Sequence, residues 1–349
     1  MKTSSDRIIG LDIIRAFSII FVFCYHFTVE YMITGGGSSP VIYNINYVFN
    51  ILARPACILL FIISGYALIY NHEDELGFFM YFKGRFRGLM IPFYVCYIIM
   101  WIVCFVVNGQ LVGVGIPKKF FIFTILGIDA LAVFYKPTFY MIGEWFMTCI
   151  VICYALFPLL AILLKKLPRL TMVAHLAVYI TLLFIYYPFI FEVTMNPLLV
   201  ISYFYMGMLL RKCTDRIPRW LSTACTIVAI AIFVFYMLCG YVDALKSYRP
   251  IEGPGEVIFT IWSLSMIIAL LGVSISPISI CYKMVSYISG ISWYIILIHH
   301  VTMQLFFIHL PVETYSDGVM LVMFIACVLI TWVLSIVARR IVRCIQRVF

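Results

Sequence analysis

The chain has 349 residues, of which 65% are hydrophobic and only 11% are charged, and its formal net charge is +9. This composition excludes a soluble globular protein and predicts an all-α, polytopic membrane protein. Apolar segments use nearly the whole length, so we expect a single transmembrane domain over residues 1–349 with no appended soluble domain.

The first predicted helix, near residues 9–31, carries a polar stripe. The polar residues that share one face at 100° per residue are Asp12, Arg15, His26 and Glu30. An ionisable side chain in hydrocarbon costs a few kcal/mol or more, so such a residue is a functional candidate by default. This favours a function for His26, whereas Asp12 and Arg15 fit a structural i,i+3 pair equally well. The stretch is too long for a cleavable signal peptide, and we expect it to remain in the protein.

Further apolar windows bring the predicted number of spans to about ten. The windows lie near residues 9–31, 48–70, 89–108, 142–164, 170–190, 196–211, 219–240, 257–276, 285–309 and 318–338. Between the third and fourth windows, the loop 109–141 contains the apolar segment FIFTILG, which fits an interfacial or re-entrant segment.

The distribution of Lys and Arg predicts the orientation, because these residues concentrate on the cytoplasmic side. With the N-terminus inside, the inner side receives seventeen of them, from Lys2 and Arg7 to Arg347. The outer side receives five, which are Lys118, Lys119, Lys136, Lys246 and Arg249. We therefore expect both termini in the cytoplasm, and the positive charge gives no reason to expect a nucleic-acid partner.

Three other polar side chains are predicted at a depth similar to that of His26, and they are Arg54, Glu144 and His299. They are candidates to converge on His26. His300 is next to His299 but points about 100° away on a helix. We therefore expect at most one of these two histidines, His299 first, to face the same cavity.

A short basic segment precedes the third span and contains Lys83, Arg85 and Arg87. Concentrated positive charge suits the binding of phosphates. The same charges are also what the positive-inside rule alone would place there.

The twelve cysteines do not indicate disulfides or a metal site. Most lie inside apolar runs, and no CxxC motif or Cys/His ligand spacing occurs, so we interpret them as small packing residues and expect no metal.

Five segments, in order, resemble the acyltransferase 3 family, membrane enzymes that acylate bacterial surface polysaccharides and related acceptors. They are GLDIIRAFSIIFVFCYH with Asp12, Arg15 and His26, LLFIISGYAL around Ser64, RFRGLMIPFY, EWFMTCIVICYALFPLL from Glu144, and ISWYIILIH ending at His299. The family commonly has Arg-x-x-Arg before its Ile/Leu-Pro, whereas here Arg85 is followed by Phe86, Arg87 and Gly88. The transfer of the family's acyl-CoA contact to Arg85 and Arg87 is weakened by this departure.

The resemblance implies an integral membrane O-acyltransferase in the bacterial inner (plasma) membrane. It implies an acyl-CoA, by default acetyl-CoA, as a donor substrate rather than a bound cofactor, and a surface polysaccharide or lipid-linked sugar as acceptor. The donor-side residues that it suggests are Arg15, Lys83, Arg85 and Arg87, with Asp12 and Ser64 in structural or orienting roles.

The catalytic roles then fall on His26, Arg54, His299 and Glu144. His26 is a candidate general base on a sugar hydroxyl, or alternatively a nucleophile that carries the acyl group. Arg54 or His299 is a candidate oxyanion donor. Glu144 is a candidate to orient His26 or Arg54, or to act only at the start of its own helix.

The rival function is a transporter or exporter of a glycan or small polar molecule, with the same buried charges as a binding site or proton relay. The sequence shows no internal or inverted repeat, and it contains the five family-like segments in order, so the enzyme is favoured.

Overall fold

The computed structural model describes residues 8–34, 40–72, 77–109, 112–184, 196–248, 254–309 and 317–348. Within these ranges the chain forms helices and no strands. The helices are α1 (Ile9–Ile33), α2 (Pro40–Asn71), α3 (Phe78–Arg85), α4 (Ile91–Asn108), α5 (Phe121–Leu126), α6 (Asp129–Ala132), α7 (Glu144–Lys166), α8 (Pro168–Phe184), α9 (Pro197–Cys213), α10 (Arg219–Tyr241), α11 (Pro254–Leu271), α12 (Ile280–His309) and α13 (Asp317–Val348).

Seven helical segments in the described ranges are long and apolar enough to cross a membrane, which fits a multi-pass membrane protein. They are Ile9–Ile33, Pro40–Asn71, Phe78–Asn108, Glu144–Lys166, Arg219–Tyr241, Ile280–His309 and Gly318–Val348. The other three predicted spans correspond to the shorter helices α8, α9 and α11. The count of ten therefore stays a prediction, as does the position of the termini. Lys2, Arg7, Arg249 and the end of the predicted span 170–190 lie outside the described residues.

The chain divides into two compact units. Unit one comprises Met1–Val22, Tyr47–Asp74 and Leu156–Gly290, and unit two comprises Phe23–Asn46, Glu75–Ala155 and Ile291–Phe349. The expected single domain is a prediction that this division does not test.

In unit one, small residues allow helices to approach very closely. A Cβ atom on Gly65 of α2 would collide with the Phe204 carbonyl oxygen of α9, and one on Gly207 of α9 would collide with the Ile62 carbonyl oxygen of α2. Each helix thus contributes one glycine that contacts the backbone of the other helix. Close backbone contact of this kind is a common way to pack helices in membranes, where burial from water gives no driving force.

In unit two, aromatic side chains fill the space between α1, α12 and α13. Phe27 and Tyr31 of α1 pack against Phe307 of α12, and Phe27 also meets Phe324 of α13 edge-on at 5.1 Å between ring centroids. Such aromatic pairs contribute about 0.5–1.5 kcal/mol each beyond area burial. This cluster holds α1 and α12 together next to the histidines described below.

Candidate active site

His26 of α1 and His299 of α12 form a hydrogen-bonded pair in unit two. The Nδ1 atom of His26 lies 2.9 Å from the Nε2 atom of His299, and the ring centroids are 5.1 Å apart. His299 is 3% exposed, while His26 is partly exposed. The structure thus brings together two of the four predicted catalytic residues, which are 273 positions apart in sequence.

The hydrogen bonds of the pair define where its protons are. The Nδ1 atom of His299 lies 2.8 Å from the carbonyl oxygen of Ile295, and a carbonyl can only accept, so this nitrogen donates. In a neutral His299 the Nε2 atom is then the acceptor, and His26 Nδ1 donates to it. The remaining nitrogen of a neutral His26, Nε2, carries an unshared electron pair. That is the state a general base requires.

Both histidines of the His299–His300 pair approach His26, which corrects the expectation that only one would. The rings of His26 and His300 are 4.3 Å apart between centroids, closer than those of His26 and His299. Two adjacent side chains diverge by about 100° around their own helix. A ring on the facing helix can nevertheless lie between them, and His26 occupies that position.

The surroundings of the pair are mostly apolar. Phe23 of α1 lies 6.1 Å from the His299 ring and meets Phe324 edge-on, and the Tyr25 ring is 5.3 Å from His26. Within the described ranges, no group of three or more His, Cys, Asp or Glu side chains is placed to hold a metal ion. Apart from His300, the rings that contact the pair among the described residues are thus those of Phe23 and Tyr25.

Asp12 and Arg15 form a closed polar group with Ser289 of α12 in unit one. Arg15 Nη1 donates to Asp12 Oδ1 at 3.2 Å and to Ser289 Oγ at 3.1 Å, while Ser289 Oγ donates to Asp12 Oδ1 at 2.5 Å. Asp12 is buried, whereas the Arg15 side chain is 32% exposed. The group ties the start of α1 to α12 through charge-assisted hydrogen bonds.

Arg54 and Ser64 lie on α2 in unit one. Arg54 is partly buried, and it belongs to a different unit from His26, His299 and Glu144. The Ser64 hydroxyl donates to the Leu60 carbonyl oxygen at 2.8 Å, a bond within its own helix. Their proposed roles remain predictions.

Glu144 is fully buried at the first residue of α7. Its Oε1 atom accepts a hydrogen bond from the Met141 amide at 2.5 Å, and its Oε2 atom has no hydrogen-bond partner among the described residues. A carboxylate is favourable at a helix N-terminus because of the helix dipole. Of the two predicted alternatives, this geometry favours a role at the helix start, since no hydrogen bond joins Glu144 to His26 in the described part of unit two.

The three basic residues of the segment 83–87 have different environments, which the sequence does not indicate. Lys83 is exposed on α3. The Arg85 guanidinium lies over two aromatic rings, 5.8 Å from the centroid of Tyr81 and 5.7 Å from that of Tyr154, and its Nε atom is buried without a hydrogen-bond partner in the described ranges. Cation–π contacts of this kind hold a guanidinium in place without neutralising its charge.

Arg87 has a different environment, because residues Phe86–Met90 form a π-helical turn between α3 and α4. Arg87 Nη2 donates to the Gln346 carbonyl oxygen of α13, and the Gln346 side chain donates back to the Arg87 carbonyl oxygen, both at 2.5 Å. Single π-turns interrupt α-helices and are frequent at functional sites. The arginine displaced from the family spacing is thus used to attach the C-terminal helix.

Sequence reasoning missed Ser289, Gln346 and the two tyrosines around Arg85. Serine and glutamine are common within and beside membrane helices, and their partners are 277 and 259 residues away. A weak signal existed for Tyr154, since it lies within the family-like segment that begins at Glu144.

Comparison with known proteins gives one match. The sequence model of the acyltransferase 3 family, described as an acyltransferase domain, matches residues 8–340. No curated protein and no solved structure matches the chain.

Proposed function

This chain belongs to the acyltransferase 3 family, and from that premise we propose that it moves an acetyl or other short acyl group from cytoplasmic acyl-CoA to a hydroxyl of a glycan. The acceptor glycan is on the cell surface or lipid-linked, and the protein acts in the inner (plasma) membrane. Membership of the family and the apolar helices support a multi-pass membrane acyltransferase. The donor, the acceptor and the membrane are the proposed parts.

The observation that carries the proposal is the hydrogen bonding of His26, which leaves its Nε2 atom unprotonated in the neutral ring. A sugar hydroxyl is a weak nucleophile at neutral pH, and a positioned base typically contributes about 10²–10⁴-fold to its reaction. His26 Nε2 removes the hydroxyl proton while the oxygen attacks the thioester carbonyl carbon. The C–S bond then breaks, and His26 returns the proton to the thiolate of CoA. Every proton is accounted for by one imidazole.

His299 is a positioning residue in this scheme. Its Nε2 atom accepts from His26 Nδ1, so in the same tautomer it is not free to donate to an oxyanion. Its contribution is to fix the tautomer of His26 and to stabilise the imidazolium that forms. This sets His299 aside as an oxyanion donor, and the role of Arg54 stays a prediction from the sequence.

For the donor, Arg85 is the best-supported phosphate contact of the basic segment. Its charge is held between Tyr81 and Tyr154, and no ion pair neutralises it among the residues described. Lys83 adds exposed positive charge nearby in sequence. The guanidinium and the backbone carbonyl oxygen of Arg87, by contrast, are both hydrogen-bonded to Gln346. We assign Arg85 and Lys83 to the donor, and the Asp12–Arg15–Ser289 group to holding the start of α1 against α12.

The test is acyl transfer by the purified protein in liposomes. Labelled acetyl-CoA is supplied with a set of soluble glycosides and with a cell-envelope extract, and the release of free CoA and the labelled product are measured. Wild-type protein should release CoA only when an acceptor is present, and His26→Ala should abolish this. His309→Ala is the matched control, because His309 ends the same helix as His299 and contacts Asn108 instead.

Two outcomes would contradict the proposal. If His26→Ala keeps the wild-type rate, His26 is not the base. If neither protein cleaves acetyl-CoA while a labelled glycan crosses the liposome membrane, the protein is a transporter.

A further inference from the structure

A second polar layer lies one helical turn beyond the histidines in unit two. Glu30 is four residues after His26 on α1, and Gln304 is four residues after His300 on α12. One turn of helix rises about 5.4 Å. Glu30 Oε1 is 4.0 Å from His300 Nδ1, and the Gln304 side chain interacts with the same carboxyl group. We call Glu30, His300 and Gln304 the outer polar layer.

Exposure increases from the histidine pair to this layer. His299 is buried, the side chains of His300 and Glu30 are 27% and 17% exposed, and Gln304 is exposed. Since the His26 and His300 rings are adjacent, the outer polar layer lies on the more exposed side of the histidine pair.

The chemistry of the layer fits hydroxyl groups. A carboxylate accepts from a hydroxyl, a carboxamide both donates and accepts, and an imidazole can do either. No Lys or Arg forms an ion pair with Glu30 within the described ranges, so an anionic group would be repelled there. Such a polar group beside an apolar wall is typical of sites that fix the orientation of a small ligand.

We propose that Glu30 and Gln304 form the acceptor subsite and select a neutral, polyhydroxylated sugar over an acidic one. This inference rests on the proposed acyl transfer and names its acceptor class. One hydroxyl of the sugar lies at His26 and is acylated, and a second hydroxyl donates to Glu30 and accepts from Gln304. The separation of one helical turn, about 5.4 Å, is comparable to the width of a sugar ring.

The experiment compares two acceptors that differ in one charge. Purified protein in liposomes receives labelled acetyl-CoA with either a methyl glucoside or the matching methyl glucuronide, at mildly alkaline pH. We expect wild type to prefer the glucoside by about tenfold in kcat/KM, since one like charge at close range opposes binding. Glu30→Gln should bring this ratio close to one. Gln304→Glu should increase it, because it adds a second negative charge.

Asp215→Asn is the matched control, because it also removes one carboxylate but from a side chain that is 83% exposed in unit one. Its acceptor ratio should equal that of wild type. The inference is overturned if the ratio is the same in wild type, Glu30→Gln and Gln304→Glu while transfer proceeds. It is also overturned if wild type cleaves acetyl-CoA but acylates neither glycoside. If acetyl-CoA is not cleaved at all, the proposed function itself fails.

Discussion

At the scale of single residues, the proton positions in the histidine pair predict unequal effects of substitution. His26→Ala removes the proposed base and should lower the transfer rate by about 10²–10⁴-fold. His299→Phe keeps the base but removes its hydrogen-bond acceptor, so we expect a smaller loss, about 10–100-fold, as for other groups that only orient a functional side chain. The measurement is the single-turnover rate of acyl transfer.

The control for a merely structural role of His299 is His299→Gln. Its amide oxygen can still accept from His26 Nδ1, so it should recover part of the rate that His299→Phe loses. Equal losses in both variants, with equal thermal stability, would contradict the orienting role.

The burial of Asp129 leads us to predict that the stability of the protein depends on pH. This residue is fully buried at the start of α6, outside the membrane-spanning segments, and burial raises the pKa of Asp129 from 3.8 to about 6. Because the folded-state pKa is the higher one, the folded form binds more protons, so the contribution of Asp129 to stability is fully present below about pH 4 and is lost as pH rises through about 6. The shift corresponds to ~3 kcal/mol.

Asp129→Asn should remove most of this loss. The amide keeps an oxygen for the hydrogen bond that Thr124 donates at 3.0 Å, and it carries no charge to bury. We expect its Tm in detergent to be higher than that of wild type at neutral pH and similar at acidic pH, measured by intrinsic fluorescence. Asp215→Asn, at an exposed position, should not change the pH profile; a wild-type slope that survives in Asp129→Asn would rule out Asp129 as its source.

The candidate site could be predicted from sequence only in part. His26 and His299 are ionisable residues inside apolar segments, and this physical anomaly made both of them candidates before any geometry was known. The approach of His300 depends on how a ring of α1 fits between two side chains of α12. Side-chain interdigitation of this kind leaves no trace in helical periodicity, which explains why His300 was predicted to point away.

At the scale of helices, the reciprocal glycines of α2 and α9 give a packing prediction. Gly65→Ala places a methyl group against the Phe204 carbonyl oxygen, so the helices must separate, at a cost of about 1–3 kcal/mol. Its Tm should fall. Gly84→Ala in α3 is the control, because a methyl group there meets nothing within 4 Å and alanine favours helix. Equal Tm values for the two variants would contradict this packing.

We expect the two arginines of the basic segment to have different functions, donor binding for Arg85 and attachment of α13 for Arg87. Arg85→Gln should raise the KM for acetyl-CoA, because it removes the charge between Tyr81 and Tyr154. Arg87→Gln should leave this KM near the wild-type value and weaken the attachment of α13, seen as faster proteolysis at the C-terminal end. The reverse pattern, with Arg87→Gln raising KM and Arg85→Gln not, would show that our assignment is wrong.

Helix types and boundaries show where sequence patterns stop being informative. Apolar windows located the apolar parts of the seven long helices, because a span needs about 20 apolar residues. The windows did not predict the full helix lengths, since four of the seven segments have 30 to 32 residues. They did not indicate the π-turn at Phe86–Met90, because its sequence, FRGLM, fits an α-helix as well. Arg87 within this turn bonds to Gln346 of α13, a partner that is 259 residues away in sequence.

At the scale of the whole molecule, the exposed cysteines test the predicted orientation. Cys213, Cys281 and Cys344 are the three exposed ones among twelve, and each lies beside basic residues assigned to the cytoplasmic side. In intact cells a membrane-impermeant maleimide should label none of them, and permeabilised cells should give labelling of all three. Lys119→Cys, at an exposed position predicted to be outside, is the positive control. Labelling of any native cysteine in intact cells would refute the orientation.

The hydrogen bond from His299 to the Ile295 carbonyl oxygen has a bioenergetic consequence. A backbone carbonyl cannot take up a proton at physiological pH, so a proton on His299 cannot pass on to Ile295. In the proposed scheme, His26 returns the proton of the acceptor hydroxyl to the thiol product. Acyl transfer by this scheme moves no net proton, so we expect it to continue at the same rate whether the cell is energised or its proton-motive force has collapsed.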